Sequence, residues 1–134
     1  MSPKPVRLGD LQLRIMKVLW ERSEAGVAEV LEALNSSGEG HAFTTIATML
    51  RKMEVRGLVT HRTEGRRFIY RPRVESARAS REMAGDLLDR VFEGCLSDMV
   101  SHLLDGRKVS DEELTRLKRL IESKRKENGQ RRLF

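Results

Sequence analysis

The segment 44–72 constrains the fold of this chain more than any other part of its sequence. It begins with an amphipathic helix whose apolar side chains repeat at i, i+3, i+4 and i+7. These side chains are Ile46, Met49, Leu50 and Met53. Gly57 ends the helical pattern, and two short alternating runs follow at 58–63 and 67–71, joined by Glu-Gly-Arg. A helix that leads into a two-stranded hairpin predicts a winged helix-turn-helix in a mainly α fold.

Two further helices are predicted ahead of this segment. The first covers 11–22, with Asp10 at its start, and the second covers 27–35. Trp20 lies among apolar residues of the first helix, so we expect it in the core rather than in a ligand site. These two helices, together with the helix and hairpin of 44–72, make up a predicted domain over residues 8–73.

The outward face of the third helix is polar at its start and cationic further along. It carries Thr44, Thr45, Thr48, Arg51 and Lys52. Threonine can hydrogen-bond to a base or a phosphate, and arginine can bind guanine through two hydrogen bonds. Residues near the start of such a helix reach base edges in helix-turn-helix proteins. The alternative is an ordinary solvated helix face.

The hairpin region is strongly basic, which favours DNA contact over an ordinary solvated helix face. Residues 51–73 contain eight cationic and two acidic side chains, whereas residues 74–115 contain five and ten. Arg66 and Arg67 lie at the predicted tip, while Phe68 and Tyr70 are expected to point inward. A basic block on a helix and hairpin is typical of phosphate contact with duplex DNA. The aromatic content of 4% argues against stacking on single strands.

Residues 74–122 predict three more helices with continuous apolar stripes, and Ser110 opens the third as part of a capping box. Three short helices bury too little surface to be stable alone, so we expect two copies to pair through them. The expected dimer interface comprises Leu87, Leu88, Val91, Phe92, Leu96, Met99, Val100, Leu103, Leu104, Leu117 and Leu120. The alternative is that these helices pack back onto residues 1–73 in a monomer.

Residues 123–134 are expected to form a flexible basic tail, since Asn128-Gly129 should break a helix.

Several other functions have no support in the sequence. No nucleophile elbow, phosphate loop or paired carboxylates are present, so we expect no enzyme and no catalytic residues. The three histidines and the single Cys95 share no ligand spacing, so no metal site and no cofactor are expected. No signal peptide or membrane segment is apparent, which predicts a cytoplasmic protein.

The ordered motifs resemble those of the penicillinase repressor family, the BlaI/MecI type of bacterial winged-helix regulators. The resemblance covers about residues 8–121. It rests on LGDLQLRIMKVLW at 8–20, VAEVLEAL at 27–34, FTTIATMLRKMEVRGLV at 43–59, EGRRFIYRP at 64–72, VSHLLDG at 100–106 and SDEELTRLKRLI at 110–121.

This resemblance implies a homodimeric repressor that binds a roughly palindromic double-stranded DNA operator. The family's DNA contacts correspond to Thr44, Thr45, Thr48, Arg51, Lys52, Arg66 and Arg67. Members that answer to β-lactams are inactivated by cleavage in the C-terminal domain, after a membrane sensor fires. The corresponding bond is His102–Leu103, where the best-known members have Asn–Phe.

Two alternatives remain at this point. A winged helix can serve as a protein-interaction module, which requires an apolar recognition face. A nonspecific architectural DNA binder would instead use the two basic blocks, 51–73 and 116–134, without reading bases.

Overall fold

The computed structural model describes residues 5–133. The elements in chain order are α1 (Asp10–Arg22), β1 (Ala25–Gly26), α2 (Val27–Asn35), α3 (Phe43–Val55), β2 (Val59–Glu64), β3 (Arg67–Pro72), α4 (Ser76–Phe92), α5 (Leu96–Asp105) and α6 (Asp111–Leu133). The mainly α fold with a small β-hairpin is confirmed, as are a winged helix-turn-helix in the first half and three helices in the second. Residues 1–4 and Phe134 lie outside the described residues.

One apolar core is formed by the three N-terminal helices together with β3 and the residues that flank it. Ile15 of α1, Val30 of α2 and Leu50 of α3 have no exposed surface. Tyr70 and Val74 close the core from the side of the hairpin. The half-buried Trp20 packs against this core, as expected, and its Nε1–H donates a hydrogen bond to the Val74 carbonyl at 2.8 Å.

Core packing also fixes the rotation of α3 about its axis. Ile46, Leu50 and Met53 are fully buried, whereas 87% of the Val55 surface is exposed. The helix ends where Gly57 adopts a φ of 78°, and the Leu58 N–H donates to the Met53 carbonyl at 3.0 Å. This is the hydrogen bond of a left-handed C-terminal cap, and it turns the chain into β2.

The sheet has three strands in the order β1-β3-β2, all antiparallel. β2 and β3 form the predicted hairpin, with Glu64 opposite Arg67. The predicted two-stranded sheet is incomplete, because Ala25 and Gly26 pair with Tyr70 and Ile69.

The chain divides into two compact units, residues 1–87 and 88–134. The boundary falls later than the predicted one at residue 74. Val74 and Ala79 are buried in the first unit, and the Glu82 carboxylate accepts a hydrogen bond from the Val6 N–H at 3.0 Å. The first turns of α4 therefore belong with the winged helix.

The second unit consists of the end of α4 with α5 and α6. The Ser110 hydroxyl accepts the Glu113 N–H at 3.2 Å, as the capping motif predicts. The predicted helix break at Asn128-Gly129 is wrong, because α6 continues to Leu133. Its last turns carry the ion pairs Lys124–Glu127 and Glu127–Arg131, which favour helix and offset the cost of one glycine.

A matched pair of substitutions on α3 tests the packing. Leu50→Ala should lower the free energy of unfolding by about 2–5 kcal/mol, because it removes a fully buried side chain. Val55→Ala should change it by less than about 0.5 kcal/mol, since Val55 faces solvent. Urea denaturation followed by circular dichroism measures both. Equal losses for the two variants would show that the rotation of α3 is misassigned.

Candidate nucleic-acid interface

The outward face of α3 collects the five residues predicted to contact DNA from this helix. Thr44, Thr45, Thr48, Arg51 and Lys52 are all exposed. An Arg51 Nη2–H donates to the Thr48 hydroxyl at 3.4 Å, so these two side chains lie side by side. None of the five is acidic, and the helix also exposes two apolar side chains, Phe43 at its start and Val55 at its end.

The N-terminus of α3 is open to an anion. Ala42 is the N-cap residue, no side chain caps the helix, and its first turn contains no acidic residue. The first N–H groups of a helix carry partial positive charge and favour phosphate. Because Thr44 and Thr45 lie in this first turn, a phosphate at the helix start would also be within reach of their hydroxyls.

The hairpin turn presents Arg66 to solvent. Gly65, which precedes it, has a φ of 63°, a backbone conformation that glycine adopts without strain. Arg66 is exposed, and within the described part of the chain no acidic side chain forms a salt bridge with it. Its charge is therefore available to a partner outside the chain.

The neighbouring wing arginines are held by carboxylates of the same chain. Arg62 Nη2 lies 2.7 Å from Glu24 Oε1, and Arg62 Nη1 lies 2.7 Å from Glu64 Oε2. The hydrogen bond from Arg62 lowers the pKa of Glu24, and the carboxylate in turn raises the pKa of Arg62. Arg67 forms an ion pair with Glu29 of α2.

A groove runs between α3 and the hairpin and brings part of the predicted site together. Thr44, Arg51, Arg66 and Arg67 line it, whereas Thr45, Thr48 and Lys52 lie on the α3 face outside it. The remaining lining residues are Val27, Ala28, Phe43, Ala47, Phe68 and Tyr70. This groove combines guanidinium groups, which can bind phosphate, with apolar surface, which can pack against the sugars of a DNA strand.

The predicted inward packing of Phe68 is wrong, although that of Tyr70 is confirmed. Phe68 is 44% exposed, and its ring stacks on His61 with 4.1 Å between centroids. The buried neighbours are Ile69 and Tyr70, which point to opposite faces of β3. Burial also raises the pKa of the Tyr70 hydroxyl.

His61 connects the hairpin to α3. Its Nδ1 lies 2.8 Å from both carboxylate oxygens of Glu54, near the end of the helix.

Sequence reasoning did not assign Phe43, Phe68, Glu24 or Glu29 to this surface. The exposed rings have no distinctive local pattern, and the two glutamates meet their arginines across 38 residues of sequence.

None of the eleven residues that were predicted to form a dimer interface is fully buried, and six of them are exposed. No described side chain from Leu88 to Arg132 is buried. Val91, Leu96 and Leu120 are each about 60% exposed. His102 and Leu103 are exposed on α5, where His102 Nδ1 lies 2.9 Å from the Asp98 carbonyl oxygen.

Cys95 is the N-cap residue of α5 and is exposed rather than half-buried. Hydrogen bonds from the Ser97 hydroxyl and the Asp98 N–H lower the pKa of its thiol. Among residues 5–133, no group of three or more His, Cys, Asp or Glu side chains could hold a metal ion. No helix in the described part of the chain has the length and apolar character of a membrane span.

A family model described as "Penicillinase repressor" matches residues 8–123. The chain belongs to the penicillinase repressor family. Members of this family are transcriptional repressors rather than enzymes. The chain is therefore a DNA-binding repressor of transcription with a winged helix.

One sequence relative agrees with this assignment, and two solved structures are similar to this chain. The penicillinase repressor of Bacillus licheniformis is 30% identical over 116 residues, which cover 87% of this chain and 90% of the relative. The solution structure of the DNA-binding domain of the repressor BlaI is 32% identical, with a TM-score of 0.49 over 57% of this chain and 92% of that one. The crystal structure of the AntR antimony-specific transcriptional repressor is 18% identical, with a TM-score of 0.46 over 65% and 73%.

Proposed function

We propose that this repressor binds a two-half-site operator as a homodimer and reads bases with the outward face of α3. The observation that carries the proposal is the burial of Ile46, Leu50 and Met53 on one face of α3, while the opposite face exposes its three threonines, Arg51 and Lys52. Thr44, Thr45 and Thr48 are small enough to approach base edges, and Arg51 and Lys52 supply donors for guanine or phosphate. We place the protein in the cytoplasm, together with its DNA.

The wing extends this surface with Arg66 and Arg67. In related folds a hairpin beside the recognition helix lies over the DNA backbone or the adjacent minor groove. Arg66 has no acidic partner among the described residues, so it can bind phosphate without first losing an ion pair. Contacts to phosphate fix the position of the protein on DNA but carry no base preference.

An apolar recognition face would favour a protein-interaction module instead. Apart from Val55, the outward face is polar and cationic, and the family is one of repressors, so we set that alternative aside. A nonspecific architectural binder would rely on charge alone, and the basic residues of α6 offer it a second surface. Base preference therefore separates this alternative from a specific repressor.

Substitutions on α3 and the wing should have different consequences. Thr48→Ala and Arg51→Ala should each cost about 1–3 kcal/mol of binding free energy and relax the base preference at one position of each half-site. Arg66→Ala should weaken binding to every sequence alike and reduce the slope of log K against log salt by about 0.9. Fluorescence anisotropy, with the duplex selected from random DNA and a scrambled duplex, measures both.

Lys17→Ala is the matched control, because it removes one exposed charge from α1 outside the groove. It should change affinity less than Arg66→Ala at every salt concentration. If Thr48→Ala and Arg51→Ala left both affinity and base preference unchanged, the proposed recognition face would be wrong.

Dimerisation is supported by the unburied apolar surface of the second unit. Helices of a stable protein bury one apolar stripe, and exposing such a stripe costs about 25 cal/mol per Å² of apolar area. Leu87, Leu88, Val91, Phe92, Leu96, Met99, Val100, Leu103, Leu104, Leu117 and Leu120 therefore form the proposed contact with a second copy. A symmetric dimer places two recognition helices about one turn of DNA apart, or a multiple of it.

Leu96→Glu should convert the dimer into a monomer, because it places a charge in the proposed interface. The molar mass in light scattering should fall to that of one 15.4 kDa chain, and operator affinity should fall by at least about tenfold as the second half-site is lost. Ser101→Glu, which adds the same charge to an exposed site on α5, should remain dimeric. A wild-type protein that is monomeric at all concentrations tested would refute the proposed interface.

Release from DNA by proteolysis at His102–Leu103 is the final part of the proposal. A protease binds its substrate in an extended conformation, so α5 must unfold locally before cleavage. This helix has ten residues and no side chain buried within its own chain, so the packing that opposes its unfolding is the proposed contact with a second copy. After induction of the target genes, mass spectrometry of the protein should detect a fragment that ends at His102. Derepressed cells that contain only intact chains would exclude this route.

A further inference from the structure

The ion pair between Arg67 and Glu29 joins the wing to α2 beside the proposed DNA surface. Arg67 begins β3, and Glu29 lies in the first turn of α2. Pairing of β1 with β3 brings these elements together, because Gly26 lies opposite Ile69. Arg67 thus has an acidic partner within the chain, whereas its neighbour Arg66 has none among residues 5–133.

Gly26 provides the space in which this ion pair lies. A Cβ atom at position 26 would come within 2.7 Å of Arg67 Nη2 and 3.3 Å of Glu29 Oε1. The φ of Gly26 is −80°, which any residue can adopt, so the lack of a side chain matters here for space rather than for backbone freedom. The guanidinium and the carboxylate both lie against the main chain at the start of α2.

Carboxylate and phosphate oxygens both accept hydrogen bonds from a guanidinium, so Glu29, which accepts from Arg67 Nη2, and a DNA phosphate can use the same donor. The side chains of Arg67 and Glu29 are 55% and 43% exposed, which lets a DNA strand approach the pair from solvent. Arg67 also lines the groove between α3 and the wing, together with Arg51 and Arg66.

We propose that Glu29 competes with DNA phosphate for the Arg67 guanidinium and thereby sets how tightly the wing binds DNA of any sequence. The inference rests on the proposed function, and it gives the two wing arginines different roles. Arg66 binds phosphate directly. Arg67 must first give up Glu29, so its contribution to affinity is reduced. Glu29 acts on DNA only through Arg67 and is a positioning residue.

Glu29→Gln should tighten binding to the selected duplex and to a scrambled duplex by the same factor, about two- to fivefold, since exposed ion pairs are weak. The salt dependence should steepen at the same time, by up to about 0.9 in slope. The double variant Glu29→Gln/Arg67→Gln should lose this gain. Fluorescence anisotropy of the full-length protein over a salt series measures all of these values.

Glu32→Gln is the matched control for net charge. Glu32 is exposed on the same helix and forms no salt bridge within the described residues. Its substitution should tighten binding less than Glu29→Gln does. Gly26→Ala is a second variant that displaces the Arg67 guanidinium without changing any charge, and it should also tighten binding to both duplexes.

The inference is overturned if Glu29→Gln gains no more affinity than Glu32→Gln, or if it binds more weakly than the wild type. Weaker binding would mean that Glu29 holds Arg67 in a conformation that contacts phosphate. Failure of the proposed function has a separate signature. The wild type would then show no preference for the selected over the scrambled duplex, whatever the effect of Glu29→Gln.

Discussion

The burial of one face of α3 is the constraint on which the proposed DNA surface depends. Ile46, Leu50 and Met53 enter a core shared with α1 and α2, and this packing fixes the rotation of the helix about its axis. Because side chains on a helix are separated by about 100°, burial of these three residues turns Thr48 and Arg51 outward. The exposed polar face therefore follows from the core and needs no separate stabilising interaction.

The hairpin is attached to the core through β3 and carries the arginines of the wing. Tyr70 anchors β3 in the core, and β1 adds a third strand that brings α2 to the wing. This arrangement leaves Arg66 exposed at the turn but places Arg67 against Glu29. The number of arginines on a wing thus overstates the positive charge that it offers to DNA, since part of that charge is already paired within the protein.

Periodicity predicted α1, α2, α3 and the hairpin almost to the residue, because the apolar spacing of a small core is a local signal. The same reasoning missed β1, whose two residues have no local signature, and placed Phe68 inside. It also predicted a flexible tail over 123–134 with a helix break at Asn128-Gly129, whereas α6 continues to Leu133, since one glycine costs only about 1 kcal/mol in a helix that ion pairs support. The pair Arg67–Glu29 depends on strand register, which the sequence does not reveal.

The central claim is that DNA contacts the outward face of α3 and the tip of the wing. Amide chemical-shift mapping by NMR, during titration of the full-length protein with the selected duplex, tests it most directly. We expect the largest shifts on Thr44, Thr48, Arg51 and Arg66, and little change in α1. Shifts concentrated in the basic second half of α6 would contradict it and would indicate binding by charge alone.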